Sequence, residues 1–115
     1  MTREERAQQL WSVLALAATH RQVLTYDIAA RITGVVRPSI GDFLRPIQQF
    51  CTENAIPPRT SLVVSDQTGL PGEGFIAAAD VPLAQLRVFQ YSWLETPAPS
   101  AERLADSYSR APDRR

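Results

Sequence analysis

Apolar residues recur three and four positions apart through the first half of the chain, the spacing of amphipathic helices. A first helix is predicted over residues 3–19, because Thr2 and Glu5 have the spacing of a capping box and one apolar stripe follows them. The stripe contains Ala7, Leu10, Trp11, Leu14, Ala17 and Ala18.

Two shorter helices are predicted next, separated by a glycine. Thr25 is expected to cap the second helix and Gly34 to end it, with an apolar side made of Ile28, Ala29 and Ile32. The third helix begins at Pro38 or Ser39 and carries the apolar residues Ile40, Phe43, Leu44, Ile47, Phe50 and Cys51. Pro46 lies within this pattern and lacks an amide proton, which predicts a kink or split near Arg45.

The second half of the chain changes to strand and turn signals. Leu62–Val64 is typical of a short buried strand, residues 66–74 are rich in turn formers, and Phe75–Ile76 provides a return strand, so a β-hairpin over Leu62–Ile76 is predicted. Asp80 is expected to cap a last helix supported by Leu83, Leu86 and Phe89. Tyr91 and Trp93 could pack onto the first helix or form an exposed aromatic anchor for a partner, and packing is favoured.

These elements predict an α+β fold: a small winged-helix-like domain of three or four helices with a short β-hairpin wing. The domain is placed at residues 1–95. Residues 96–115 contain prolines, serines and charges, which predicts a flexible C-terminal tail, with one marginal helix over 100–108 if a partner binds.

Composition narrows the class of protein. A length of 115 residues suits one domain, and the single cysteine excludes an internal disulfide and fits a reducing, cytoplasmic location. No apolar run is long enough to predict a membrane span, and the N-terminus lacks a signal-peptide core. The formal net charge is zero, and every cation is arginine. Residues 1–60 carry seven arginines against five acidic residues, whereas residues 61–100 carry one against four.

The outward side of the third helix is the best candidate for a binding surface. If its apolar stripe is buried, Ser39, Arg45, Gln48 and Gln49 point outward, and arginine and glutamine can contact guanine and adenine edges. Nearby arginines would neutralise phosphates, namely Arg31, Arg37 and Arg59. The alternative is a solvated face on which Asp42 pairs with Arg45.

Catalysis is not predicted. His20 is the only histidine, and Cys51 lies on the apolar stripe, where a buried thiol is expected rather than a nucleophile. The acidic residues Asp66, Glu73 and Asp80 do not have a calcium-loop spacing. We therefore expect no metal and no cofactor.

Several short motifs appear in the order found in one DNA-repair family. Trp11-Ser12-Val13-Leu14, Thr25-Tyr26, Ala29-Ala30, Gly34, Ile40-Gly41, Val63-Val64 and Gly69-Leu70-Pro71-Gly72 lie within residues 10–75. This region resembles the C-terminal DNA-binding domain of alkylguanine DNA alkyltransferases and their inert alkyltransferase-like relatives. Residues 59–62 lack the Cys-His-Arg sequence that the family has before Val-Val, and Pro38 replaces its intercalating arginine. The resemblance thus implies a bacterial protein with a winged-helix fold that binds DNA without alkyl transfer.

The sequence predicts a non-enzymatic protein that binds double-stranded DNA through the third helix and the hairpin. The alternative is a protein-interaction module or modulator, of the kind that a mobile element can encode, that binds a protein partner. The neutral net charge, the acidic second half and the proline-containing C-terminus favour this alternative.

Overall fold

The computed structural model describes residues 2–72, 75–93 and 98–111. In these ranges the chain forms five α-helices and two short strands, so the coarse α+β class is confirmed. The helices are α1 (Arg3–Thr19), α2 (Tyr26–Thr33), α3 (Ile40–Glu53), α4 (Val81–Gln90) and α5 (Ala101–Ser109), the strands are β1 (Leu24–Thr25) and β2 (Val63–Val64), and 3₁₀ helices cover Arg37–Ser39 and Arg59–Leu62.

The N-terminal helices begin and end where the sequence predicts. The Thr2 side chain accepts a hydrogen bond from the Glu5 amide, and the Glu5 carboxylate accepts one from the Thr2 amide. Thr25 caps α2 through the Ile28 amide, and Gly34 ends it with φ of 75°, a conformation that glycine adopts at low cost.

The buried side of α2 differs from the prediction. Ala29, Ala30 and Thr33 are buried, whereas Ile28 and Ile32 are 44% and 53% exposed. Small residues allow the helix to approach α1 and α3 closely, and this places the two isoleucines on the outer surface. The predicted apolar side of α2 was therefore wrong for both isoleucines.

The split predicted near Arg45 does not occur, because α3 continues through Pro46 to Glu53. Proline removes one amide donor from the helix. Its ring is buried on the same side as Ile47 and Phe50, so packing offsets that loss.

The predicted hairpin is not confirmed in the described residues. β2 pairs in parallel with β1, with Leu24 opposite Val63 and Thr25 opposite Val64. A turn does follow β2, closed by the Ser65 amide on the Leu70 carbonyl. Phe75–Ile76 then lies in no strand. Two amides available to a hairpin are used elsewhere: that of Gly72 donates to the Tyr26 hydroxyl, and that of Ile76 donates to the Gln48 side chain.

The region predicted as a flexible tail contains a packed helix, which corrects the predicted domain boundary. α5 lies against α1 and α3, and Leu104 is completely buried. The Ser100 hydroxyl caps the helix through the Arg103 amide. Residues 96–97 and 112–115 of the predicted tail lie outside the described residues. Proline content misled the prediction because Pro99 precedes α5 and does not interrupt it.

Glu53 on α3 holds the end of α5. Its carboxylate accepts hydrogen bonds from the Arg110 guanidinium at 2.6 and 2.9 Å and from the Ser107 hydroxyl at 3.0 Å. The bonds from Arg110 are the main reason that the pKa of Glu53 falls to about 2 from its ordinary 4.5.

This shift predicts a pH-dependent stability. A carboxylate with a lowered pKa stabilises the fold fully above about pH 4.5, and this stabilisation is lost as the pH falls toward 2. The Tm difference between the wild type and Glu53→Gln, measured by circular dichroism, should therefore shrink over that window. Glu102→Gln on the exposed side of α5 is the control. A Glu53→Gln difference that stays constant from pH 6 to pH 2.5 would contradict this assignment.

Candidate functional site

A cleft of about 460 Å³ lies beside α3, within the size range of ligand-binding pockets. We call it the α3 cleft. Its described lining residues come from α2, the Arg37–Ser39 turn, α3, the Arg59–Leu62 turn and the segment after β2. They are Tyr26, Arg37, Pro38, Gly41, Leu44, Arg45, Gln48, Thr60, Pro71, Gly72 and Phe75.

Helical spacing brings the α3 residues to one side of the cleft. Gly41, Leu44, Arg45 and Gln48 are separated by three or four positions, so they share one face of the helix. Gly41 gives this wall extra room, because a Cβ built there would meet nothing within 4 Å.

The opposite wall is held by side chains of the helices. The Gly72 amide donates to the Tyr26 hydroxyl at 3.0 Å, and a Cβ on Gly72 would lie only 2.6 Å from that hydroxyl. Any larger residue at position 72 would therefore displace the Tyr26 hydroxyl from this contact. The Ile76 amide donates to Gln48 Oε1 at 2.9 Å, which attaches the backbone next to the lining residue Phe75 to α3.

Two arginines face the α3 cleft, and both are also near carboxylates outside it. Arg37 Nε lies 3.1 Å from Asp27, and its Nη2 lies 3.8 Å from Asp66. Arg45 Nη1 lies 3.8 Å from Asp42, beyond hydrogen-bond distance. None of the described lining residues is acidic. A ligand in the cleft would thus meet guanidinium groups directly.

The predicted DNA-binding residues divide into three groups. Arg37, Arg45 and Gln48 line the α3 cleft together. Arg31, Ser39 and Gln49 are not among its described lining residues; Arg31 is exposed, and Gln49 donates to Glu53 at 3.0 Å. Arg59 is buried and requires a correction.

Arg59 lies in the core and cannot contact a phosphate. Its guanidinium carbon is 3.5 Å from the ring centre of Trp11 and 4.0 Å from that of Trp93, and Nη2 donates to the Trp11 carbonyl at 2.6 Å. Its relative exposure is 0%, and burial lowers its pKa to about 9, which leaves it protonated at neutral pH. The Arg59–Leu62 turn buries every one of its residues, whereas Arg59 was predicted to reach a phosphate from the surface.

Polar groups in this turn lack partners. Thr60 lines the α3 cleft and is 4% exposed. In the described part of the chain its Oγ1 is closed to solvent and makes no hydrogen bond. The same holds for Nε and Nη1 of Arg59 and for Oγ of Ser61. An unpaired buried hydroxyl costs about 1–3 kcal/mol of stability.

This unpaired hydroxyl leads to a stability prediction for Thr60→Val. Because Val removes the unpaired group and keeps the branched shape, the free energy of unfolding should stay unchanged or rise by about 1 kcal/mol. Thr33→Val is the matched control: Thr33 is equally buried but donates to the Ala29 carbonyl at 2.8 Å, so its loss should cost about 1 kcal/mol. Urea unfolding measures both. A larger loss for Thr60→Val than for Thr33→Val would contradict the assignment.

The expected inertness of Cys51 is consistent with its surroundings. Cys51 is buried, and burial raises the pKa of its thiol to about 11, so it stays protonated at neutral pH. Among the described residues, no group of three or more His, Cys, Asp or Glu side chains is arranged to hold a metal ion.

Sequence reasoning missed most of the cleft. The motifs that contain Tyr26, Pro71 and Gly72 stand out in the sequence, but they were assigned to a helix start and a hairpin turn. Nothing in the sequence shows that one hydrogen bond joins Tyr26 to Gly72.

Across the ranges described, no helix is both long enough and apolar enough to cross a membrane.

No family model, curated protein or solved structure matches this chain.

Proposed function

We propose that this chain is a non-enzymatic recognition module that binds a segment of another protein in the α3 cleft. The observation that carries the proposal is the cleft itself, which combines apolar walls with two arginines. Leu70 and Ile76, which adjoin the lining residues Pro71 and Phe75 in the sequence, are 52% and 49% exposed and add apolar surface near the cleft. Exposed apolar groups around a pocket are typical of protein contacts.

Double-stranded DNA is the second candidate. The observation that favours it is the series of partly exposed arginines on successive elements: Arg31, Arg37 and Arg45. Two of the three have carboxylates nearby, which reduces the attraction for a polyanion. The resemblance to alkyltransferase-like proteins points to the same activity and stays a prediction.

The test uses Gly41→Phe to fill the cleft, because the position has open space and glycine disfavours helix. Partner proteins captured by the full chain should be lost with Gly41→Phe and kept with Thr52→Phe, which adds the same ring at an exposed site on α3. A DNA duplex titrated at two salt concentrations is the second arm. Steeply salt-dependent DNA binding, with capture unaffected by Gly41→Phe, would replace this proposal with the second candidate.

A further inference from the structure

The polar groups of the α3 cleft indicate the charge of its ligand. A guanidinium carries five N–H donors. In the described part of the chain, Arg45 donates no hydrogen bond, and Arg37 approaches carboxylates only through Nε and Nη2. Both side chains thus keep donors for an acceptor in the cleft.

The walls indicate the rest of the ligand. Leu44, Phe75 and Pro38 are apolar surfaces beside the two arginines. A phosphodiester backbone offers little apolar surface to such walls, and the neutral net charge gives no long-range attraction for a polyanion. A carboxylate next to a leucine or phenylalanine side chain matches both parts of the lining.

Exposed apolar residues next to the lining favour an internal segment over a chain terminus. Leu70 and Ile76, which adjoin the lining residues Pro71 and Phe75 in the sequence, are 52% and 49% exposed, so they offer apolar contacts to a ligand that continues past the cleft. Resting on the function proposed above, we infer that the α3 cleft binds an internal peptide segment in which an Asp or Glu carboxylate, held by Arg37 and Arg45, adjoins a large apolar residue.

The probe is a synthetic library of octapeptides, acetylated and amidated at their ends, with a central Glu beside Leu or Phe. A paired library has Gln in place of Glu, and a third has a free C-terminal carboxylate and no acidic side chain. Binding to the full chain is measured by fluorescence anisotropy. We expect the best Glu peptides to bind about ten-fold more tightly than their Gln counterparts, because a hydrogen bond between a guanidinium and a carboxylate is stronger than one between a guanidinium and a neutral amide.

Variants assign this preference to the cleft. Arg37→Gln and Arg45→Gln should each remove most of the ten-fold preference, and Arg87→Gln on α4 should leave it intact. Equal binding of the Glu and Gln libraries, a preference that survives Arg45→Gln, or a preference for the free C-terminal carboxylate would each overturn the inference.

Gly41→Phe separates this inference from the proposed function. If the wild type binds the Glu and Gln libraries equally and Gly41→Phe abolishes the binding of both, the cleft binds peptide but the carboxylate assignment fails. If no library binds, or if Gly41→Phe changes nothing, both proposals fail.

Discussion

Replacing Arg59 with alanine is expected to lower the free energy of unfolding by about 3–5 kcal/mol, as large core truncations do. The change leaves a cavity between the Trp11 and Trp93 rings and removes two cation–π contacts. It also removes the hydrogen bond to the Trp11 carbonyl. Both tryptophans of the chain contact this side chain, so tryptophan fluorescence during urea unfolding reports on the site directly.

Two further variants separate packing from charge. Arg59→Met fills the space without burying a charge or leaving Nε and Nη1 unpaired, and apolar replacements of buried charges are often tolerated. Arg59→Lys keeps the charge but lacks the flat group that lies between the rings. We expect Met to be more stable than Lys, and both to be more stable than Ala. An alanine variant within about 0.5 kcal/mol of the wild type, the range of ordinary surface changes, would contradict the buried position.

Replacing Leu104 with alanine is expected to cost about 2–5 kcal/mol, the range for a fully buried leucine. Leu104 fixes α5 against α1 and α3, and its loss weakens the whole contact. Arg3, whose guanidinium lies 4.1 Å from the Tyr108 ring centre, adds a second contact between α1 and α5. Urea unfolding followed by circular dichroism measures the change.

Glu102→Ala is the matched control on the exposed side of α5 and should change stability by less than about 0.5 kcal/mol. The pair tests the correction of the predicted tail. If residues 101–109 behaved as a flexible tail, Leu104→Ala and Glu102→Ala would have the same small effect.

The helices with strong local signals were predictable from the sequence. Thr2, Thr25 and Asp80 each mark a helix start because the capping hydroxyl or carboxylate acts on an amide three residues later. Gly34 marks the end of α2 because its backbone adopts the left-handed conformation that glycine favours. Such contacts need no knowledge of the rest of the fold.

Contacts between distant residues decided the parts that were not predictable. β2 pairs with β1, about forty positions earlier, and the Gly72 amide is used by Tyr26. Arg59 was expected on the surface because arginine usually is, and only the two tryptophans from distant elements explain its burial. The candidate site was predicted in part: Arg37, Arg45 and Gln48 meet in the α3 cleft, but their partners in its walls come from elsewhere in the chain.

A peptide bound in the α3 cleft should change the environment of the backbone amides that line it. Two-dimensional ¹H–¹⁵N NMR of the full chain, titrated with the tightest Glu octapeptide, measures this change. We expect shifts concentrated at the amides of Gly41, Gln48, Thr60 and Gly72. Shifts centred on α4 or α5, with these four amides unchanged, would contradict it.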